Sequence, residues 1–201
     1  MENFYITDVL DMFDIDKINE YNQEFLNAYP DSWKPFVTKE NFSEYLSEMK
    51  KARSGEAEDK VKEIFYWFIE DDKIIGSGSI RLNPEIDEYC RIYSGHVFYQ
   101  IVPSKRGKGY GTLLCHLLLE KMNEMGYEEA IISCYDTNKS SIQIITANGG
   151  KLLEIVNGDG TKEGKEKKTL RYKINIKESL INFDNLNNQN IIRNEKNDNM
   201  G

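Results

Sequence analysis

The stretch Pro103-Ser104-Lys105-Arg106-Gly107-Lys108-Gly109-Tyr110-Gly111-Thr112 is where residue type and spacing point most directly to chemistry. Gly107, Gly109 and Gly111 allow a ligand to approach the main chain with no Cβ in the way. A helix beginning at Tyr110 has first-turn N–H groups with no intrahelical acceptor, at the positive end of its dipole. Together they form an anion site, to which Lys105, Arg106 and Lys108 add positive charge. A diphosphate is the natural occupant. Other phosphate loops fit poorly. No G-x-x-x-x-G-K-[ST] occurs, and a dinucleotide loop needs G-x-G-x-x-G in an early βαβ unit with an acid about twenty residues on. Here the spacing is G-x-G-x-G, mid-chain, with Glu128-Glu129 preceding the next strand. The bland alternative is a tight strand-to-helix connection carrying solvated lysines.

The elements around the loop follow from periodicity. Ile64–Ile69 is β-branched and aromatic, Asp71-Asp72-Lys73 is a tight turn, and Ile74–Leu82 returns, which predicts a hairpin. A third strand is expected at Gly95–Val102, then the loop, then a helix over Tyr110–Met125 closed by Gly126. Ala130–Tyr135 reads as a strand, Ser140–Ala147 as a short helix, and Lys151–Val156 and Thr169–Ile176 as two further strands. The loop at 157–168 is polar and expected to be mobile. Ahead of the hairpin, residues 3–9 read as a short strand, and Asp11–Tyr29 and Thr38–Arg53 as helices, the second capped by Thr38. Beyond Ile176 the chain is asparagine-rich, with a weak helix near Leu180–Leu186. The expected division is one domain over 1–176 and a tail over 177–201.

Composition narrows the function classes. The 201 residues are 39% hydrophobic and 30% charged, with a net charge of −8. A core is affordable at that length. A broadly basic nucleic-acid-binding surface is excluded, and no apolar run reaches the roughly 18 to 20 residues of a membrane span. Met1-Glu2-Asn3-Phe4, with Asp8, Asp11 and Asp14 following, lacks the pattern of a secretion signal. Cys90, Cys115 and Cys134 have neither zinc spacing nor a disulfide framework. A cytoplasmic protein without metal, nucleic-acid partner or membrane association is the expectation. His116 lies with Glu120, Asn123 and Glu124 on the polar helix face and reads as solvated. Cys134 reads as core packing.

Arg106-Gly107-Lys108-Gly109-Tyr110-Gly111 resembles the R/Q-x-x-G-x-G/A acyl-coenzyme A loop of the GNAT-type N-acetyltransferases. The likeness runs upstream through Val97–Val102 and Pro103. Downstream it takes in the amphipathic helix, the strand Ala130–Tyr135, Asn138-Lys139-Ser140-Ser141 and the Asn148-Gly149-Gly150 turn, covering roughly residues 64–156. The resemblance implies an α+β, three-layer fold. Its central sheet would be mixed, mostly antiparallel, of six or seven strands splayed in the middle, with helices on both faces.

It also implies direct transfer of acetyl from acetyl-CoA, as co-substrate, to a primary amine of a small molecule. A non-catalytic acyl-CoA-binding module and a protein lysine or N-terminal acetyltransferase are the alternatives, and the family allows a homodimer. The pantetheine arm would pair with the strand at Tyr99–Val102, including Ile101 and Val102. The diphosphate would meet Arg106, Gly107, Lys108, Gly109, Tyr110, Gly111 and Thr112, with Asn138 and Ser141 lining the coenzyme side. Asn138 equally suits a helix N-cap. The amine must be neutral to attack, and for an alkylamine of pKa about 10.4 this costs roughly 4 to 5 kcal/mol at pH 7. The family's usual thiolate-protonating Tyr, seven residues after the Asn, is Ile145 here. Tyr99 and Tyr135, near the ends of the two splayed strands, are the substitutes, with Tyr93 more distant. His96 or Asp136 is the possible base. The acceptor site is implied to lie at about 26–60 and 157–168, with Trp33 as a further lining residue.

Overall fold

The computed structural model describes residues 4–185, apart from 13, 33, 35, 36, 39, 55, 57–60, 162 and 163. Trp33 and the asparagine-rich stretch beyond residue 185 lie outside the described residues. The chain order is β1 (Phe4–Asp8), α1 (Ile15–Ala28), α2 (Phe42–Ser54), β2 (Glu63–Glu70), β3 (Lys73–Arg81) and β4 (Val97–Ile101). It continues with α3 (Tyr110–Glu124), β5 (Glu129–Tyr135), α4 (Lys139–Ala147), β6 (Lys151–Asn157) and β7 (Lys168–Asn175). A last helix, α5, spans 176–185.

The strands form two sheets, β1-β2-β3-β4 and β5-β7-β6, and all their ladders are antiparallel. The expected fold class is therefore present, with its middle opening separating the strands into two sheets. The β2–β3 hairpin turns on Asp71 and Asp72, both at positive φ (46° and 68°), the geometry whose twist matches paired strands. Alternation along β3 sorts the layers. Ser77 meets Tyr21 of α1 (2.9 Å), whereas a methyl on neighbouring Gly78 would lie 2.7 Å from Leu118 of α3. So α1 covers one face and α3 the other. Leu114, Leu118, Leu119 and Met122 of α3 are fully buried against the strands, as are Trp67, Phe68 and Ile69 of β2.

Local chemistry sets the helix ends. Asp14 Oδ1 accepts from the N–H groups of Asp16 and Lys17, so α1 starts at Ile15, later than its apolar spacing predicts. Thr38 and Asn41 bond reciprocally (Thr38 N–H to Asn41 Oδ1, 2.6 Å), and α2 begins only at Phe42. Gly126 (φ 86°) ends α3, with the Tyr127 N–H returning to the Met122 carbonyl.

Helix α5 changes the reading of the chain end. Asn175 Oδ1 accepts from the Glu178 N–H, Ile176 and Ser179 are buried, and the Phe183 ring stacks on His116 at 3.7 Å. His116, expected in solvent, is only 4% exposed because this helix covers what reads as a polar face of α3.

Candidate active site

The loop between β4 and α3 is held from below and left open above. Lys105 pairs with Glu70, at the end of β2, and the Tyr110 hydroxyl donates to the same carboxylate (2.6 Å). Burial alone would raise the Glu70 pKa, but these two hydrogen bonds hold it below the usual carboxylate range. Gly107 (φ 73°) and Gly109 (φ 86°) take the left-handed conformation, and no atom lies within 4 Å of where their Cβ atoms would stand. The N–H groups of the first turn of α3 rise beside this bare backbone, as an anion cradle requires.

Not every residue of the loop faces a ligand. The Arg106 Nε donates to the Ile101 carbonyl (3.0 Å) and its Nη1 to the Tyr29 hydroxyl (2.5 Å), while the guanidinium lies over the Phe25 and Tyr29 rings. The mobile positive charge expected of its side chain is thus committed to a tie between the loop and α1. Lys105 is likewise committed to Glu70, whereas Lys108 is exposed. Gly111 serves packing: a Cβ there would meet Ile144 Cδ1 of α4 at 2.5 Å. Thr112 is already helical, its N–H bonded to the Gly109 carbonyl (3.0 Å).

Strands β4 and β5 meet at one end and part at the other. At the joined end Gly95 bridges Ile132, and the His96 N–H donates to the Ile131 carbonyl (2.7 Å). His96 Nδ1 in turn accepts from the Ile131 N–H (3.0 Å), and burial pushes its pKa down. The expected base is therefore a neutral clasp between the two sheets, outside the cavity described below; its basic nitrogen is consumed by a backbone amide. Past this clasp no ladder joins β4 to β5 among the described residues.

The backbone at the parted end follows from register. The His96 carbonyl and the Val102 N–H bond β3, at Arg81 and Ile75. Even-numbered residues of β4 therefore face β3, and Val97, Tyr99 and Ile101 present their N–H and C=O groups to the gap. Ile101 keeps its expected position on that edge, with its carbonyl held by Arg106. The Val102 N–H does not, since β3 takes it (3.0 Å).

A cavity of about 390 Å³ fills the gap, lined among others by Tyr99, Tyr135, Asn138, Ser141, Tyr89 and Asp159. The Tyr99 hydroxyl reaches toward the Ser141 carbonyl at the start of α4 (3.4 Å), and burial pushes its pKa well above the ordinary tyrosine value. Asn138 Oδ1 accepts from the Ser141 N–H (3.1 Å), so it caps α4 while lining the cavity. Ile145 is fully buried, and its position offers no proton to the gap. Cys134 packs against the core, as expected, and also lines the cavity, with burial pushing its thiol up to about 11. Asp136 is not among the lining residues; Tyr93 is.

The sequence reading missed Asp159. It lies in the 157–168 loop, expected to be mobile, yet is only 3% exposed. The Thr161 N–H and hydroxyl bond its Oδ1 (2.9 and 2.6 Å), while Lys167 Nζ and the Tyr135 hydroxyl reach its Oδ2 (2.8 and 3.2 Å). Lys167 first, then Thr161, hold its carboxyl far below the usual range. The signal available in the sequence was Asn157-Gly158-Asp159-Gly160, a turn pattern that hides a burial.

A second hollow of about 360 Å³ opens on the α2 side of the first sheet. It is lined by Tyr45, Glu48, Met49, Trp67, Ser77 and Gln100, among others, and shares Phe98 with the first cavity.

Among curated protein sequences none matches the chain. Solved structures do. An N-acetyltransferase from Staphylococcus aureus Mu50 is 18% identical, with a TM-score of 0.57 over 87% of this chain and 99% of its own. A ribosomal-protein-S5-alanine acetyltransferase from Vibrio fischeri is 15% identical, with a TM-score of 0.61 over 86% and 93%. The microcin C7 self-immunity acetyltransferase, solved with acetyl-CoA and AMP, is 18% identical, with a TM-score of 0.59 over 84% and 91%. At these identities the likeness concerns the fold. The family model of the acetyltransferase (GNAT) domain matches residues 5–151. A splayed two-sheet frame, an open glycine loop and that match lead to one statement: the chain belongs to the GNAT acetyltransferase family.

Proposed function

We propose that the protein transfers the acetyl group of acetyl-CoA directly to a primary amine of a small molecule. The observation that carries this reading is the gap between β4 and β5 opening beside the bare backbone of Gly107 and Gly109. An extended pantetheine arm adds to the free edge of β4 as a strand would, through the main chain of Tyr99 and Ile101. The diphosphate sits on the N–H groups from Gly107 into the first turn of α3, with Lys108 as its mobile counter-charge. Asn138 and Ser141 flank the arm. Thr112 and the Arg106 side chain support the loop from behind.

Acetyl-CoA would bring the thioester; the protein's own groups orient it and manage protons. An outward N–H of β4 donates to the developing oxyanion, a type of contact whose loss typically costs about 10²–10³ in rate. Tyr99 protonates the departing thiolate; the proton that the amine gives up as the amide forms passes through water and restores the tyrosine hydroxyl. Tyr99 lines the cavity and its hydroxyl reaches α4, where the buried Ile145 offers no proton. The raised pKa works against proton donation, so it is position that favours this residue. Hollows of about 390 and 360 Å³, the first shared with the pantetheine arm, suit a compact acceptor better than a protein chain end.

The test is a thiol-release assay with acetyl-CoA against linear monoamines, diamines, amino acids and peptide amines, paired with calorimetry of CoA binding. Release with at least one small amine supports the proposal. Absence of CoA binding overturns it. Tight CoA binding with no release from any amine leaves a binding module, the alternative that Ile145 favours.

A further inference from the structure

The two oxygens of Asp159 have different surroundings. Oδ1 is turned into the loop, bonded twice by Thr161, and Gly164 packs so closely on it that a side chain at 164 would collide with the carboxylate. That oxygen fixes the group in place. Oδ2 points the other way, to the Tyr135 hydroxyl and Lys167 Nζ. The same Lys167 ammonium lies over the Tyr135 ring, 4.7 Å from its centroid. Next to it stand Tyr89 and Tyr93, whose rings are 5.7 Å apart and close enough to Gly160 that a Cβ there would lie 2.7 Å from the first.

A buried carboxylate oxygen among aromatic faces is a receptor for an alkylammonium. Arg81, a cation that does line the cavity, does not compete, because its guanidinium pairs with Glu63 (3.2 Å). Lys167 therefore shows what fits the position: a primary ammonium on a flexible alkyl chain. Its side chain is half exposed, at 51%, so it can leave for water without unpacking anything.

We propose that Asp159 recognises a second ammonium of the acceptor, and that Lys167 is the internal cation it exchanges for. The acceptor class is then a linear diamine, or a molecule with two amino groups at comparable spacing. The assignment to the second group follows from charge. An ammonium held on a carboxylate stays protonated, which suits an anchor and opposes nucleophilic attack. The attacking amine is the other one, nearer Tyr99. Tyr135 belongs to recognition in this arrangement, its ring and hydroxyl completing the receptor. The inference rests on the acetyl-transfer reading for the identity of the partner substrate, and its test separates the two.

The experiment compares butane-1,4-diamine with butan-1-amine on the full chain saturated with CoA, by calorimetry, and with acetyl-CoA, by thiol release. A monoamine can place its one ammonium on Asp159 only by leaving no amine to attack, so thiol release is expected to favour the diamine at least about tenfold in kcat/KM. Asp159→Asn should shrink that ratio toward one, with CoA affinity reporting whether the fold survives. Lys167→Met should strengthen diamine binding a few-fold, because an occupied site reduces apparent affinity by its free fraction. Equal kcat/KM for the two amines with the wild-type protein overturns the inference. So does weakening by Lys167→Met, which would make the lysine part of the receptor, or acetylation of Lys167 itself, seen by peptide mass spectrometry. Asp159-dependent diamine binding without thiol release would support the receptor and overturn the transfer reading; release from both amines with no preference would do the reverse.

Discussion

The two ends of the β4–β5 junction use the same backbone groups in opposite ways. At the joined end, the His96 N–H, the Ile131 carbonyl and the Ile131 N–H are all bonded within the protein, and Gly95 packs against Ile131 too closely for a side chain. At the parted end the N–H groups of Tyr99 and Ile101 point away from β3, and the cavity opens at Tyr99. A buried backbone group without a partner costs about as much as a lost hydrogen bond. A strand edge facing a cavity is therefore kept where a ligand is to satisfy it. The clasp makes the gap possible, because it fixes where the strands separate.

That contrast can be broken at either end. The largest effect is expected for Gly95→Val. Its φ of 73° disfavours any L side chain, and the Ile131 carbonyl stands in the way. A loss of at least about 3 kcal/mol in stability, measured by urea unfolding, is the expected outcome. Gly109→Val tests the open end. Its φ of 86° carries strain but there is empty space for the side chain, so the fold should persist while CoA affinity falls at least about 100-fold by calorimetry. A normal affinity would remove the phosphate loop from this region.

Tyr99→Phe comes next, with kcat lowered about 10²-fold and CoA affinity nearly unchanged, as loss of a general acid predicts. An unchanged kcat would transfer that role elsewhere. Glu70→Gln leaves Lys105 without its counter-charge and should cost about 1–3 kcal/mol of stability, read from the urea midpoint.

The smallest effect is a pH slope. Burial depresses the pKa of His96 and of His116 below the ordinary 6.5. The unfolded chain then binds more protons, and stability is lost as pH falls below about 6.5. His96→Asn keeps an acceptor for the Ile131 N–H and should flatten that slope between pH 7 and 5. An identical slope would mean His96 does not titrate on unfolding.

Much of this was legible in the sequence because it is local. The glycine loop, the amphipathic helix after it and the β2–β3 hairpin each carry their own turn or cap chemistry, and each appears within a residue or two of its expected place. What stayed hidden depends on residues far apart in the chain. The Arg106 side chain reads as mobile positive charge until Tyr29, 77 positions away, is seen to hold it. His116 reads as solvated until Phe183 is folded across it. Asp159 sits in a run of glycines and lysines that resembles a solvent loop, and only Tyr135 and Thr161 together reveal its burial. Side-chain type indicated what each residue could do; partner identity decided which of those things it does.

Arg106 has one further consequence. Its guanidinium spans the coenzyme loop, the outward carbonyl of Ile101 and the closing turn of α1 at Tyr29. An arm bonded to that carbonyl would meet the Nε already there, and the mooring of α1 at Tyr29 runs through the same guanidinium. A carrier seated on this edge would thus be felt at the first helix through a single side chain.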